Sequence, residues 1–157
     1  MRKQITGSSS QGESSANESW LNLERLAQVE VTSEDPKFPI EFALIPGTGP
    51  HWRAGESGEQ TILLTFSEPQ RLRRIKLGFV EPEAERTQEF TLMWSADGGR
   101  SFREIVRQQW NFSPSGSTGE SEDYQVDLSA VSALKLTINP DLARGKVAAT
   151  LSEWRVA

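Results

Sequence analysis

Apolar and polar residues alternate along most of this chain with a period of two residues. Phe90, Leu92 and Trp94, for example, alternate with Thr91 and Met93. Such runs are about five to eight residues long and end in Gly, Pro, Asp or Ser, which is typical of half-buried β-strands. The pattern predicts nine strands, at roughly residues 27–32, 40–45, 60–66, 74–80, 88–95, 102–110, 123–128, 133–139 and 149–156.

Only residues 20–26 place their apolar side chains at a helical spacing. Parallel strands require long crossover connections, usually helices, and no helical segment separates any two of the predicted strands. The sheets should therefore be antiparallel. Many short strands separated by turns are typical of a sandwich or barrel. We predict an all-β fold, an antiparallel β-sandwich of about nine strands formed by residues 20–157.

The first nineteen residues differ from the rest, because residues 4–19 are rich in Ser, Gly, Gln and Asn. Such a segment buries too little apolar surface to offset its ordering entropy, so residues 1–19 are predicted to be a disordered tail. Arg2 and Lys3 are followed by no apolar run, and we expect neither a secretion signal nor a membrane anchor. The expected location is cytoplasmic, with no membrane partner.

Composition narrows the chemistry that is available to the 157 residues. The chain has no Cys, which excludes thiolate metal sites and thiol nucleophiles, and it has one His, His51. The formal net charge of −5 argues against a general nucleic-acid binder, which needs a basic surface. We therefore predict no nucleic-acid partner and no bound cofactor.

Asp97, Gly98 and Gly99 stand between two alternating runs and predict a tight hairpin. Glycine adopts the positive φ angles of such turns, and an Asp side chain hydrogen-bonds to its own turn backbone. A structural role for Asp97 is favoured over a role as a metal ligand.

The run from Phe90 to Ile105 resembles the central hairpin of discoidin domains, also called coagulation-factor type C domains. Its residues read Phe-x-Leu-x-Trp-Ser-x-Asp-Gly-Gly-x-Ser-Phe-x-x-Ile. The segments His51–Ala54 with 60–66, Leu72–Leu77 and Leu151–Val156 are similar to further parts of the family, in the same order. The resemblance spans about residues 26–157. It implies a galactose-binding-like jelly roll whose loops at one end bind glycans, lipid headgroups, collagen or other proteins.

The chain departs from the family pattern where many members hold a structural calcium ion. Those members have an Asp-Gly step before the loop Trp, whereas residues 45–52 read Ile-Pro-Gly-Thr-Gly-Pro-His-Trp and contain no carboxylate. Calcium takes six to eight oxygen ligands, usually with several carboxylates among them. Because Glu153 alone does not supply them, we predict no metal site.

Catalytic motifs are missing from the sequence. A Ser-His-Asp site would have to use His51, and the chain has neither a nucleophile elbow nor a phosphate-binding glycine loop. Two acidic groups, at 81–85 and 120–123, could in principle supply the carboxylate pair of a glycosidase. Both lie in polar segments where solvated carboxylates are the rule. We predict that the protein is not an enzyme.

Loop lengths indicate where a ligand would bind. Successive connections in an antiparallel sandwich alternate between its two ends, so those at 46–59, 81–87, 111–122 and 140–148 should share one end, and they are the long ones. Aromatic rings beside Arg, Asn and His side chains are suited to sugar recognition. The candidate ligand-binding residues at this end are His51, Arg53, Arg86, Trp110, Asn111 and Phe112.

Two functions remain open from the sequence. The first is a non-catalytic carbohydrate-binding module, favoured by aromatic residues at the strand ends. The second is an intracellular protein-interaction or assembly domain without a small-molecule ligand, favoured by the missing secretion signal. The expected partner is accordingly a glycan or another protein.

Overall fold

The computed structural model describes residues 20–157, so the predicted disordered tail lies outside the described residues. It contains two one-turn helices, α1 (Leu23–Leu26) and α2 (Glu41–Leu44). Its strands are β1 (Ala27–Val31), β2 (Trp52–Ser57), β3 (Gln60–Val80), β4 (Arg86–Ser95), β5 (Arg103–Phe112), β6 (Gly119–Asn139), β7 (Ala148–Leu151) and β8 (Glu153–Val156). Every strand pairing in this part of the chain is antiparallel, so the predicted fold class is confirmed.

The two longest strands, β3 and β6, run through both layers of the sandwich. The first half of β3 pairs with β1 on one side and with the second half of β6 on the other. The second half of β6 also pairs with β4, and β4 pairs with the edge strand β5. The second half of β3 lies between β8 and the first half of β6. A separate two-stranded sheet is formed by β2 and β7. Each long strand therefore contributes to both layers.

The transition between the layers lies where the pairing of β3 with β6 is irregular. Its register shifts three times between Thr65 and Arg74 on β3. Bulges of this kind bend a strand and increase its twist. The sequence prediction treated 67–73 and 129–132 as connections between separate strands. They are bends within continuous strands. The predicted strands 60–66 and 74–80 are therefore both part of β3, and 123–128 and 133–139 are both part of β6.

The core lies between the layers and is apolar. Phe79 on β3 and Phe90 on β4 stack across it, with ring centroids 4.9 Å apart. Trp52 and Trp154, from β2 and β8, have no exposed surface. The inward-facing positions of β3, β4 and β6 are buried in alternation, as the period-two pattern predicts.

The predicted strand at 40–45 is wrong, because this segment forms α2. The buried residues here are Ile40, Ala43 and Leu44, which lie three and four residues apart and so share one face of a helical turn. The N–H group of Leu44 donates to the carbonyl of Ile40 at 3.3 Å, and that of Ile45 donates to Glu41 at 2.9 Å. The prediction fails because periodicity alone does not distinguish a helical turn from a strand in so short an apolar run.

Strand β2 lies within residues 46–59, which the sequence predicts to be a connection, so this prediction is wrong. Trp52 and Ala54 are buried and alternate with exposed Arg53 and Gly55. A Cβ atom on Gly55 would lie 2.9 Å from the carbonyl oxygen of Glu34, so this position accepts only glycine without a shift. At the other end of the chain, the predicted strand 149–156 is interrupted at Ser152 and forms β7 and β8.

The hairpin between β4 and β5 forms as the sequence predicts. Gly98 and Gly99 have φ angles of +80° and +93°, and the Asp97 carboxylate accepts from the N–H groups of Arg100 and Ser101 at 3.0 Å each. Hydrogen bonds from Ser101 and Ser95 to the same carboxylate lower the pKa of Asp97. None of the helices among residues 20–157 is long and apolar enough to cross a membrane.

Replacing Leu136 with alanine should destabilise the fold by about 2–5 kcal/mol, since the side chain is fully buried and a cavity would remain. Leu142 is the matched control because it is 38% exposed, and its replacement should cost less than about 0.5 kcal/mol. Urea unfolding of both variants measures the difference. Equal losses would contradict the placement of Leu136 in the core.

Candidate functional site

Three connections meet at one end of the sandwich, beside the residues 53–57 of β2. They contain residues 81–85, 113–118 and 140–147. The N–H group of Glu81 donates to the carbonyl of Thr118 at 2.8 Å, and that of Leu142 donates to Thr87 at 2.8 Å. Arg53, Glu81 and Lys146 line one cleft. The connections at 81–85, 113–118 and 140–147 thus lie together, while a shared end for the connection at 45–51 stays a prediction.

The cleft at this end, called the loop-end cleft here, has a volume of about 560 Å³. It is bounded by β2, by the 81–85 connection, by the end of the 140–147 connection and by Asp35. Its charged lining residues are Asp35, Arg53, Glu56, Glu81, Glu83 and Lys146. The cleft therefore presents cationic donors and carboxylate acceptors from several elements. Both kinds of group can hydrogen-bond a polar ligand.

His51 stacks on Phe38 beside the cleft, with ring centroids 4.7 Å apart and an interplanar angle of 12°. Burial lowers the pKa of His51, and the nearby Arg53 charge lowers it further, although Glu81 partly opposes both. The neutral imidazole has one donor and one acceptor nitrogen. Because the backbone N–H of Arg53 donates to the carbonyl of Phe38 at 3.1 Å, the aromatic pair is tied directly to the wall of the cleft.

Glu81 lines the cleft and also accepts a hydrogen bond from the buried Arg86 side chain. Its carboxylate accepts from Arg86 Nε at 2.8 Å and from the N–H groups of Glu83 and Ala84 at 3.1 Å each. Burial alone would raise the pKa of Glu81, but these hydrogen bonds outweigh it and lower the pKa. The carboxylate thus stays ionised and holds the 81–85 connection in a tight turn.

Arg86 and Phe112 are buried, which corrects their prediction as ligand-binding residues. They are 3% and 1% exposed. Arg86 donates to the carbonyl of Pro140 at 2.7 Å and to Gln88 Oε1 at 3.2 Å, while its guanidinium lies 4.6 Å from the centre of the Phe112 ring. Both residues face inward on β4 and β5, so they support the loops from beneath instead of forming their surface.

Trp110 and Asn111 lie on a different surface from His51 and Arg53. They border a shallow depression on the edge strand β5, together with Gln109 and Ser117. Asn111 is exposed and accepts from the Thr87 hydroxyl at 2.7 Å, whereas Trp110 shares the inward-facing phase of Phe112 and is half-buried against the core. The six predicted residues therefore divide into the loop-end cleft, an interior support and the β5 edge.

A buried polar cluster behind the loops was not predicted. Glu120 is 4% exposed and lies opposite Gln88 and Gln108, whose side-chain amides approach it at 3.5 and 3.3 Å. Gln108 also donates to Glu122, and the Tyr124 hydroxyl donates to Gln108 at 2.6 Å. Burial, followed by hydrogen bonding and repulsion from Glu122, raises the pKa of Glu120 to about 8.

A sequence signal for this cluster did exist. Gln88, Gln108, Glu120 and Glu122 each occupy the inward-facing phase of an alternating strand, where apolar residues are the rule. The sequence prediction places Glu120 and Glu122 in a connection, whereas β6 already begins at Gly119. These inward-facing polar residues therefore indicate a buried cluster only when the true start of β6 is known.

The carboxylate that would be expected at a family calcium site is engaged by cations. Glu153 lies 3.4 Å from Lys76 Nζ and 3.9 Å from Arg155 Nε. Arg155 also donates to the carbonyl of Ala43 in α2 at 2.7 Å. Within residues 20–157, no group of three or more His, Asp or Glu side chains could hold a metal ion.

Comparisons with solved structures define the fold. A CBM32 module from Clostridium perfringens, CpGH89CBM32-5, solved with GalNAc-β-1,3-galactose, matches with a TM-score of 0.63 and 19% identity, over 88% of this chain and 99% of that chain. The family 32 module of C. perfringens NanJ, solved with galactose, matches with a TM-score of 0.64 and 12% identity, over 87% and 96%.

A Ruminococcus gnavus GH29 fucosidase, solved with fucose, has a TM-score of 0.66 and 10% identity. The match covers 87% of this chain and only 26% of the fucosidase chain, so this chain spans about a quarter of that protein. No protein-family model matches the sequence, and no curated protein matches it. The fold is thus the discoidin or galactose-binding-like β-sandwich of CBM32 modules, as the sequence resemblance implies.

Adding millimolar calcium, or a chelator, should leave the melting temperature nearly unchanged. The reason is that Lys76 and Arg155 already neutralise Glu153, so a cation would have to displace them. Thermal unfolding followed by circular dichroism measures this, with magnesium as the control ion. Stabilisation by several degrees with calcium alone would indicate native-state binding and contradict the prediction.

Replacing Arg86 with alanine should destabilise the fold by about 3–5 kcal/mol, because it leaves the Glu81 carboxylate, 12% exposed, without its buried partner. Arg71 is the matched control. It lies 2.8 Å from Asp127, but the two side chains are 51% and 77% exposed, so its removal should cost less than about 1 kcal/mol. Similar losses in urea unfolding would show that the buried pair does not support the loops.

Proposed function

We propose that this chain is a non-catalytic carbohydrate-binding module that holds a glycan in the loop-end cleft. The observation that carries the proposal is the cleft itself, which joins exposed Arg53 and Lys146 to the carboxylates of Asp35, Glu56 and Glu83. A sugar presents several hydroxyl groups, each a donor and an acceptor. Closely spaced cations and carboxylates satisfy both roles at once.

The stacked rings at the rim support the same function. Phe38 and His51 are both partly exposed and form a rigid aromatic pair beside Arg53. An aromatic face packs against the C–H groups of a sugar ring, and the neutral His51 imidazole adds a donor and an acceptor. The pair and the cleft together offer an apolar and a polar contact to one ligand.

Solved structures of proteins with the same fold also support a glycan as the ligand. Modules that share it were solved with galactose, with GalNAc-β-1,3-galactose and with 4,5-unsaturated mannuronic acid. Another is described as a chitosan-binding module, from Paenibacillus, with a TM-score of 0.64 and 18% identity. We infer a glycan as the ligand class from this agreement between fold and cleft. The cytoplasmic location stays a prediction.

The test is a glycan array on the purified protein, followed by calorimetric titration with the best-bound oligosaccharide. Replacing Arg53 with alanine should weaken binding by about tenfold or more, since a hydrogen bond from a charged group is worth about 1.5–3 kcal/mol. Arg103 is the matched control, because it is exposed on β5 beside the hairpin at the opposite end. Its replacement should leave affinity unchanged.

A third variant, Trp110→Ala, separates the two candidate surfaces. Full affinity in this variant supports the cleft, whereas loss of binding with retained folding would place the ligand on the β5 edge. An array without any bound glycan would contradict the proposal and favour a protein-interaction domain. Turnover of aryl glycosides that is lost in Glu83→Gln would contradict the non-catalytic part.

A further inference from the structure

Two phenylalanine rings, Phe38 and Phe42, lie outside the hydrophobic core. Both are partly exposed, and neither packs against the apolar residues between the layers. Their contacts are with residues 49–51, at the end of the connection that leads into β2. Single apolar residues are common on protein surfaces, whereas two aromatic rings held in place by the same loop form a built apolar surface.

The loop covers one face of each ring. His51 stacks on Phe38, with ring centroids 4.7 Å apart. A Cβ atom on Gly49 would lie 2.4 Å from two ring carbons of Phe42 and 2.5 Å from a third. Three nearly equal distances place that atom above the face of the ring and not beside its edge. Position 49 therefore accepts only glycine while Phe42 keeps its place.

The same loop is held by its own hydrogen bonds. The Thr48 hydroxyl donates to the carbonyl of Ile45 at 2.7 Å and lies 3.1 Å from the carbonyl of Glu41, which precedes Phe42. Proline fixes φ at positions 46 and 50, on either side of this residue. The aromatic surface is thus preorganised, which lowers the entropy lost when a ligand binds.

The two rings follow the loop-end cleft in order. Three contacts join the segments 35–42 and 49–53 in antiparallel order, namely Arg53 with Asp35, His51 with Phe38, and Gly49 with Phe42. Arg53 and Asp35 line the cleft. Two residues of chain, which span at most about 7 Å, separate each contact from the next between 53 and 49. Phe38 and then Phe42 therefore lead away from the cleft, and we call them, with His51, the aromatic track.

The chemistry of the surface changes along this path. The cleft is lined by charged side chains, whereas residues 45–50 include none. Aromatic faces contact the C–H groups of sugar rings, and charged groups hydrogen-bond the hydroxyls. A single sugar in the cleft would leave Phe42 without a ligand contact. A longer chain of sugars would use the cleft and both rings.

We propose that this protein binds linear oligosaccharides in preference to single sugars, with one unit in the loop-end cleft and the next units along Phe38 and Phe42. The inference rests on the proposed function, because the cleft has to hold the first sugar. Each further unit adds contact area to a ligand whose overall translational freedom is already lost, so affinity rises with length.

Calorimetric titration with oligosaccharides of increasing length tests the proposal. The probes are oligomers of galactose, of glucosamine and of galacturonic acid, which are neutral, cationic and anionic, each from the monosaccharide to the hexasaccharide. In the series that binds, affinity should rise by about tenfold or more between the monosaccharide and the trisaccharide, since each aromatic contact contributes about two- to tenfold. It should change little beyond the tetrasaccharide, where the track ends.

Phe42→Ala removes the outer ring of the track. Affinity for the tetrasaccharide should fall by about two- to tenfold, while affinity for the monosaccharide stays as in the wild type. Gly49→Ala is a second route to the same result, because its Cβ atom displaces the Phe42 ring and leaves the cleft residues unchanged. Both variants should stay folded, since neither position belongs to the core.

The matched control is Phe102→Ala. Phe102 is also partly exposed and outside the core, but it lies beside the hairpin at the other end, with Lys135 Nζ 4.2 Å from its ring centre. This variant should keep the affinity of the wild type for every length. Thermal unfolding of all three variants separates a lost contact from a lost fold.

The outcomes separate this inference from the proposed function. Equal affinity for all lengths, lost in Arg53→Ala, overturns the aromatic track and leaves the cleft as the site of a single sugar. An equal loss for the monosaccharide and the tetrasaccharide in folded Phe42→Ala also overturns the track, because the ring would then support the cleft. Absence of binding in all three series and on the array contradicts the proposed function and the track with it.

Discussion

The pairing of β3 with β6 is the constraint on which the sheet depends. It extends from Gln60 opposite Ile138 to Val80 opposite Gly119, with its irregularities near the middle. β1 and β8 pair with opposite halves of β3, and β4 pairs with the second half of β6. Because β3 and β6 stay paired through the bend, the same ladder positions the strands that pair with either half of β3.

The polar groups of the site are arranged around one ion pair, Arg86 with Glu81. A buried charge is tolerated only when it is paired and hydrogen-bonded, and Arg86 meets this requirement through Glu81, Gln88 and the carbonyl of Pro140. These contacts tie the start of β4 to the connections before β4 and after β6. The interior charge therefore holds in place two of the loops that border the cleft.

The buried polar cluster around Glu120 contains a group that can gain or lose a proton, which an apolar interior does not. Gln88 and Gln108 satisfy Glu120 from two strands, and the carboxyl group in return stays neutral at physiological pH. Buried networks of this kind are sensitive to the gain or loss of a single proton, since low polarity magnifies every charge. The strands β4, β5 and β6 are thus joined in the interior by polar side chains as well as by apolar packing.

The sequence by itself determined the fold class, the antiparallel pairing and the hairpin at Asp97. These follow from local periodicity, turn chemistry and chain alternation. It did not determine α2 or β2, because a run of six residues such as 40–45 carries too little periodicity to distinguish one helical turn from a strand. Nor did it show that Arg86 and Phe112 face inward and that Trp110 packs partly against the core on the edge strand β5. Those placements depend on contacts between residues far apart in the chain, such as Arg86 with Pro140, and only the packed layers decide which charged side chain is buried and which is left to meet a ligand.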